Sequence, residues 1–419
     1  MTKVKEAAIA LAQTRRMARL PSPAMLMRAP HRLLFFIGAS NLLLAMLWWA
    51  LWLGALRGLW TPQQPPPLPP AWLHALLMQY LVLPSFIFGF LLTVFPRWMG
   101  QPELPRSRYA PVGIGLFGGQ SLLIAAACGW TAGLWPGLLL AMAGWSAGLI
   151  VLGRVLQAAG PNRNWHARAC YAALLLGWLG LLLFMVVVRG RATLMPVTVA
   201  LGTFGLLLPV YLTVAHRMIP FFANNVVDGY VAWRPLRWLA AMWTLLMLRL
   251  LLSALQIDNA LWLADAPLLV LSLQALWHWW PRGPMPGLLA TLFLALAWLP
   301  ISFALYLLQD IGHLFGHPQL LGRAPLHALA VGLFGSLLVA MVTRVTQGHS
   351  GRPLVMPAVA WFAFVALQAV AIMRILAELM PDAYAWHFAA AIGWLLALAP
   401  WVARLGWIYL SPRRDGKPG

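Results

Sequence analysis

The chain has 419 residues, of which 62% are hydrophobic and 9% charged, with a mean hydropathy of +0.78. A soluble protein of this length cannot hide so much apolar surface, and the apolar runs are continuous rather than alternating, so an all-α polytopic membrane protein is expected and a β-barrel is excluded. The formal net charge of +20 does not imply a nucleic-acid partner, because the basic residues fall at the ends of apolar runs instead of forming one patch.

A basic segment over residues 1–32, with Arg15, Arg16, Arg19 and Arg28, comes first. It lacks the short apolar core and small-residue cleavage site of a removed signal peptide, so the first spanning helix is expected to act as the insertion signal. Apolar segments then follow near 33–56, 72–95, 111–130, 136–157, 169–188, 195–215, 236–257, 262–280, 287–308, 325–343, 357–379 and 386–410. They make one transmembrane domain of about twelve helices over 33–410, followed by a basic tail at 411–419. The longest connections are the proline-rich Thr61–Pro70 stretch, Arg217–Arg234 and Gln309–Arg323, and no globular domain fits between the helices. With the N-terminus in the cytoplasm, roughly 22 of the 29 lysines and arginines fall inside. Arg57, Arg189, Arg191 and Arg323 fall outside, and both termini are predicted cytoplasmic.

The two cysteines, Cys128 and Cys170, lie in separate apolar runs without CxxC spacing, which argues against a disulfide framework, an iron–sulfur cluster or a thiolate zinc site. The 10 histidines are more informative. On this topology His74, His327 and His387 each open a helix at the outer rim, with His313 and His317 in the loop just before His327. His216 and His278 end helices at the inner rim, His349 lies just beyond another, and His31 and His166 occupy inner segments. Any one of these serves well enough as an interfacial polar residue. Three helix-opening histidines at one depth point further, because imidazole is a good ligand for haem iron and for copper, and helical bundles build such sites from facing helices.

Carboxylates are scarce in the predicted spans, Glu378 and Asp265 being the clearest, which weakens a proton-coupled transporter. Arg249 and Arg374 sit in the outer parts of helices seven and eleven. Each either snorkels to the rim or neutralises a carboxylate such as a haem propionate. Ala328, Gly332 and Ser336 form a small-residue ridge that would admit a close helix neighbour, and Gly89 offers the same. No Walker loop, GxGxxG or CxxCH occurs, so a nucleotide site or covalent c-type haem has no support. The two halves of the chain show no repeat.

Four stretches carry a resemblance to a known family: GFLLTVFPRWMG (Gly89–Gly100), HRMIPFF (His216–Phe222), HALAVGLFGSLLVAMVTRVTQGHSGRPL (His327–Leu354) and the tail PRRDGKPG. In order and wording they resemble the NnrS family, and together they span nearly the whole chain. The resemblance implies a twelve-helix bacterial inner-membrane protein that contains haem and copper and is linked to nitric oxide and nitrosative stress. His327, Arg344, His349, Gly351, Arg352, Arg217, Pro220 and Trp98 match the family pattern. One departure stands out. The family's second helix usually begins Trp-His-x-His-Glu-Met, whereas this chain has Leu73-His74-Ala75-Leu76-Leu77-Met78. The second histidine and the glutamate have become leucines; if both histidines bind metals in the family, one site here is altered or lost, and His387, at the same depth, is placed to substitute. His216 stands where the family usually has glycine.

The resulting expectation is a haem or copper site with His74, His327, His387 and Arg374, and with His216 and His349 as further metal candidates. His349 either binds metal or caps its turn. Lipid, nitric oxide and a membrane electron donor are the expected partners. A secondary transporter without redox cofactor and a metal-binding membrane scaffold are the competing readings.

Overall fold

A computed structural model describes residues 21–160 and 164–415. Most of the predicted basic N-terminal segment, including Arg15, Arg16 and Arg19, and the last four residues of the tail lie outside the described residues. Among those described there is no strand, and 12 helices are long and apolar enough to cross a membrane. They are α1 Pro30–Leu56, α2 Pro70–Trp98, α3 Arg106–Ala127, α4 Thr131–Ala158, α5 Trp165–Val188 and α6 Ala192–Asn224. The series continues with α7 Leu236–Ala254, α8 Asp258–Trp279, α9 Gly287–Leu314, α10 Ala324–His349, α11 Ala358–Leu379 and α12 Ala383–Leu410. Pro30 and Pro70 sit in the first turns of α1 and α2, where a missing N–H costs no hydrogen bond. Both ends of the domain meet on one side, where the Ser22 amide donates to the Leu410 carbonyl at 2.8 Å. We call this side the terminal face and the opposite one the far face.

Several helices outrun their apolar segments. α2 continues to Trp98, α6 through Pro220 to Asn224, α9 to Leu314 and α10 to His349. Hydropathy stops where the hydrocarbon stops, but the i to i−4 ladder does not, and the added turns carry polar and cationic side chains. Asp310, expected in a loop, is consequently helical and buried.

The helices form a closed ring around three central ones. α1 packs on α2, α3 and α12; α5 packs on α4 and α6; α9 packs on α8 and α10. Central α2, α6 and α10 are the most buried, with 83%, 67% and 78% of their apolar windows inside the protein. Each contains a π-helical stretch, Met78–Val82, Leu201–Leu207 and Ala328–Gly335. Such a stretch inserts an extra residue per turn and re-aims the side chains after it, often beside a functional site. Each also runs toward the terminal face through a matching segment that ends on arginine: Phe88–Arg97, Leu208–Arg217 and Gly335–Arg344. Thr93 and Thr213, at equivalent positions in two of these, donate back to the carbonyls of Gly89 and Pro209. The repeat is therefore one of thirds, four helices each, which is why a comparison of halves shows nothing.

Close packing is concentrated where glycines meet. A Cβ on Gly115 of α3 would lie 2.3 Å from the Gly144 Cα of α4, so these two backbones are in contact. Gly89 receives Leu34 and Phe35 of α1. The ridge of Ala328, Gly332 and Ser336 admits a side chain rather than a helix backbone: the Trp298 indole fills the space over Gly332. Gln368 ties this corner together, accepting from the Trp298 Nε1–H at 2.7 Å and donating to Ser336 Oγ at 2.8 Å.

Candidate functional site

The far-face layer brings five of the polar residues together. His74, in the first turns of α2, stacks on the Trp49 indole of α1 with centroids 4.5 Å apart and planes 16° from parallel. Its Nδ1 is buried and without a hydrogen-bond partner. His327, at the start of α10, is turned by its own helix end, since Nδ1 lies 2.9 Å from the Arg323 carbonyl, and this leaves Nε2 for another partner. His327 lies within electrostatic reach of His74, Arg374 and Glu378. Arg374 donates to Glu378 at 2.6 Å, one turn along α11, and His387 Nε2 of α12 lies 3.4 Å from the same carboxylate oxygen. That His387 contact meets the distance of an ion pair but not the directionality of a hydrogen bond. Arg374 thus already has a carboxylate partner, and its guanidinium retains donors for a second.

The terminal-face layer holds two histidine pairs. His31 of α1 and His349 of α10 have ring centroids 4.4 Å apart. His31 is buried, with Nδ1 unpartnered. His166 Nε2 of α5 lies 2.9 Å from His216 Nδ1 of α6, and His216 Nε2 faces the Pro235 carbonyl at 3.3 Å. His278 stacks on Trp233. Spacing along the chain gives no sign of either pairing; only the shared depth of these residues does.

The four stretches that carry the family resemblance converge on this face. The Arg217 guanidinium sits over the Trp98 ring at 4.5 Å, and Arg344 sits over Phe222 at 3.8 Å. The Arg414 amide donates to the Ser350 carbonyl at 3.1 Å, tying the tail to the turn after α10. Gly351 has φ +65°, and a Cβ there would strike the Asp415 carboxylate, so the turn requires glycine twice over. Beside it, burial first, and then the Arg414 and Arg404 cations, pull the Arg352 guanidinium below its usual range.

Between the layers, on the side of the terminal face, α1 and the central helices line a half-open apolar cleft with room for about 80 Å³. Phe35 of α1, Phe86 and Phe90 of α2, Tyr211 and Met218 of α6, and Met341 and Val345 of α10 are among its walls. Phe35 meets the His31 ring edge-on at 6.2 Å, so the cleft begins one turn from the His31–His349 pair. Among the described residues no group of three or more His, Cys, Asp or Glu is arranged to hold a metal ion.

Twelve apolar spans, three central π-interrupted helices and histidines near both ends of the bundle define a polytopic helical membrane protein. The chain belongs to the NnrS family: the family model described as NnrS protein matches residues 25–413, nearly its whole length. No curated protein matches it.

Proposed function

We propose that this protein binds haem and copper within the bacterial inner membrane and acts on, or responds to, nitric oxide. Family membership supports the class of chemistry. The observation that carries the reading to residues is the far-face arrangement, in which His74 keeps a buried nitrogen without a partner and His327 is oriented through Nδ1 with Nε2 left over. An imidazole fixed through one nitrogen and free at the other is the usual state of a metal ligand. Arg374, with donors beyond those given to Glu378, would hold a propionate there.

The donor set fits haem better than a bare copper ion. Haem iron takes most of its donors from the porphyrin and would need only one or two imidazoles from the protein, which His74 and His327 would supply. A copper ion needs three or four protein donors, and no such cluster is preassembled among the described residues. Copper would therefore draw on the terminal-face histidines, His31 with His349 or His166 with His216, completed by an exogenous ligand. Haem, when bound, would supply the capacity to bind nitric oxide, and the cleft between α1, α2, α6 and α10 offers apolar space for a small uncharged molecule.

A reduced-minus-oxidised visible spectrum of purified protein, with metal analysis, tests this. A Soret band with stoichiometric iron supports it, and colourless, metal-free protein expressed with ample haem and copper overturns it. The latter outcome favours a proton-coupled secondary transporter. One observation already speaks for that second reading: Asp310 adds a second buried carboxylate within the spans, beside Asp265 and the half-buried Glu378 that the sequence suggested.

A further inference from the structure

Arg249 of α7 is buried in the far-face half of the bundle, with 6% of its side chain exposed. Its Nε donates to Asp265 Oδ1 of α8 at 2.6 Å, and Asp265 is wholly buried. The guanidinium is sandwiched between Phe204, from the π-helical stretch of α6, and Tyr306 of α9, at 4.1 and 4.2 Å from the ring centroids. Asp310, one turn beyond Tyr306 on α9, is 5% exposed and brings its carboxyl into hydrogen-bonding contact with that of Asp265. Asp258, at the opening of α8, is also within electrostatic reach. Among the described residues Arg249 is the cation paired with this cluster, and His313 is the next titratable side chain along α9 after Asp310.

Charge counting makes the cluster incomplete. One guanidinium balances one carboxylate, and a second bare carboxylate against the first in a low-dielectric interior would repel it with nothing to offset the cost. The oxygens show the same deficit: Asp265 Oδ2 and Asp310 Oδ2 are both buried, and neither has a donor. A proton shared between the two carboxyls would supply the missing donor.

We propose that Asp265 and Asp310 together bind one proton, held between their carboxyls and counterbalanced by Arg249, as a proton-binding site inside the membrane. The step is the addition of H⁺ from the aqueous phase to one carboxylate, giving a carboxylic acid whose O–H donates to the other, and its reversal. The far rim is near: α9 ends at Leu314, with His313 three residues beyond Asp310 on the same side of the helix. The sequence offered Arg249 as a possible partner for a haem propionate, but its partner here is Asp265, so the site stands or falls independently of the haem and copper reading.

Infrared spectroscopy of the full-length protein in lipid at neutral pH tests the proposal. The expected result is one protonated-carboxyl C=O stretch per chain that shifts in D₂O. It should be lost in Asp310→Asn, which keeps the Arg249–Asp265 pair, and lost in Asp265→Asn, where Arg249 is left to Asp310 alone. Arg249→Gln should double the band, since both carboxyls must then be neutral. Absence of the band in the unmodified protein overturns the proposal, as does a band that survives in both asparagine variants. If Arg249→Gln does not fold, the two isosteric asparagine variants still decide the matter.

Discussion

His166 and His216 share one hydrogen bond, Nε2 to Nδ1 at 2.9 Å, and their tautomers follow from what lies beyond it. His216 Nε2 faces the Pro235 carbonyl, which can only accept, so Nε2 carries the hydrogen and Nδ1 accepts from His166. Replacing His216 by alanine strands a half-buried donor on His166 and an acceptor on Pro235. We expect thermal unfolding in detergent to show a loss of about 1–3 kcal/mol. If stability and bound copper both match those of the unaltered protein, His216 has neither a structural nor a metal role.

The two histidine layers are separable by substitution. If the far-face pair holds haem, His327→Ala abolishes or strongly shifts the Soret band, whereas His349→Ala leaves it nearly intact from the opposite side of the bundle. His387→Ala tests whether α12 makes up for the leucines at 76 and 77. Full haem and copper in His327→Ala would move the search to His31, His216 and His349.

The Gly115–Gly144 contact leaves no room for a methyl group, because the neighbours of a new Cβ are backbone atoms rather than movable side chains. Gly144→Ala should cost about 1–3 kcal/mol through forced separation of α3 and α4. Gly335→Ala is the control: its new Cβ would find its nearest neighbours at an ordinary 3.5 Å, and its melting temperature should stay close to that of the parent.

At the far face the Arg57 guanidinium after α1 pairs with Asp382 before α12. That hydrogen bond, and then the one from the Ala385 amide, hold the Asp382 carboxyl below its ordinary value. A carboxyl depressed in the folded state stabilises above its unfolded pKa and ceases to do so as pH falls through its folded one. The Arg57→Ala difference in melting temperature should therefore be small and constant near neutrality and vanish below the ordinary aspartate range. A difference that grows on acidification would contradict the assignment.

Orientation is open to direct measurement. Reporter fusions after Arg57, Arg191 and Arg323 should read as external, and those after Arg106, Arg237 and Arg352 as cytoplasmic. Inverted signals at two or more of these positions would reverse the faces.

Depth was legible in the sequence and azimuth was not. Hydropathy gave the spans, and the residues opening or closing each one, His74, His327 and His349, stand at the rims where counting put them. Which way a rim residue points depends on rotation about the helix axis, and the π-helical stretches of α2, α6 and α10 change that rotation part-way along. The partners are also remote in the chain. His31 meets His349, Arg249 meets Asp265 and Asp310, and Arg32 reaches the carbonyls of Tyr409 and Ser411. Asp310 was misread as loop because its helix runs past the apolar segment that announced it.

The closure of α12 on α1 bears on the order of biosynthesis. The walls of the central cleft come from all three thirds of the chain, and the buried Arg32 finds its acceptors at residues 409 and 411. While the ribosome is still making the last helix, the ring has a lateral gap beside α1, and Arg32 has no carbonyl to bind. Final docking of α1 therefore waits for the last helix of the chain.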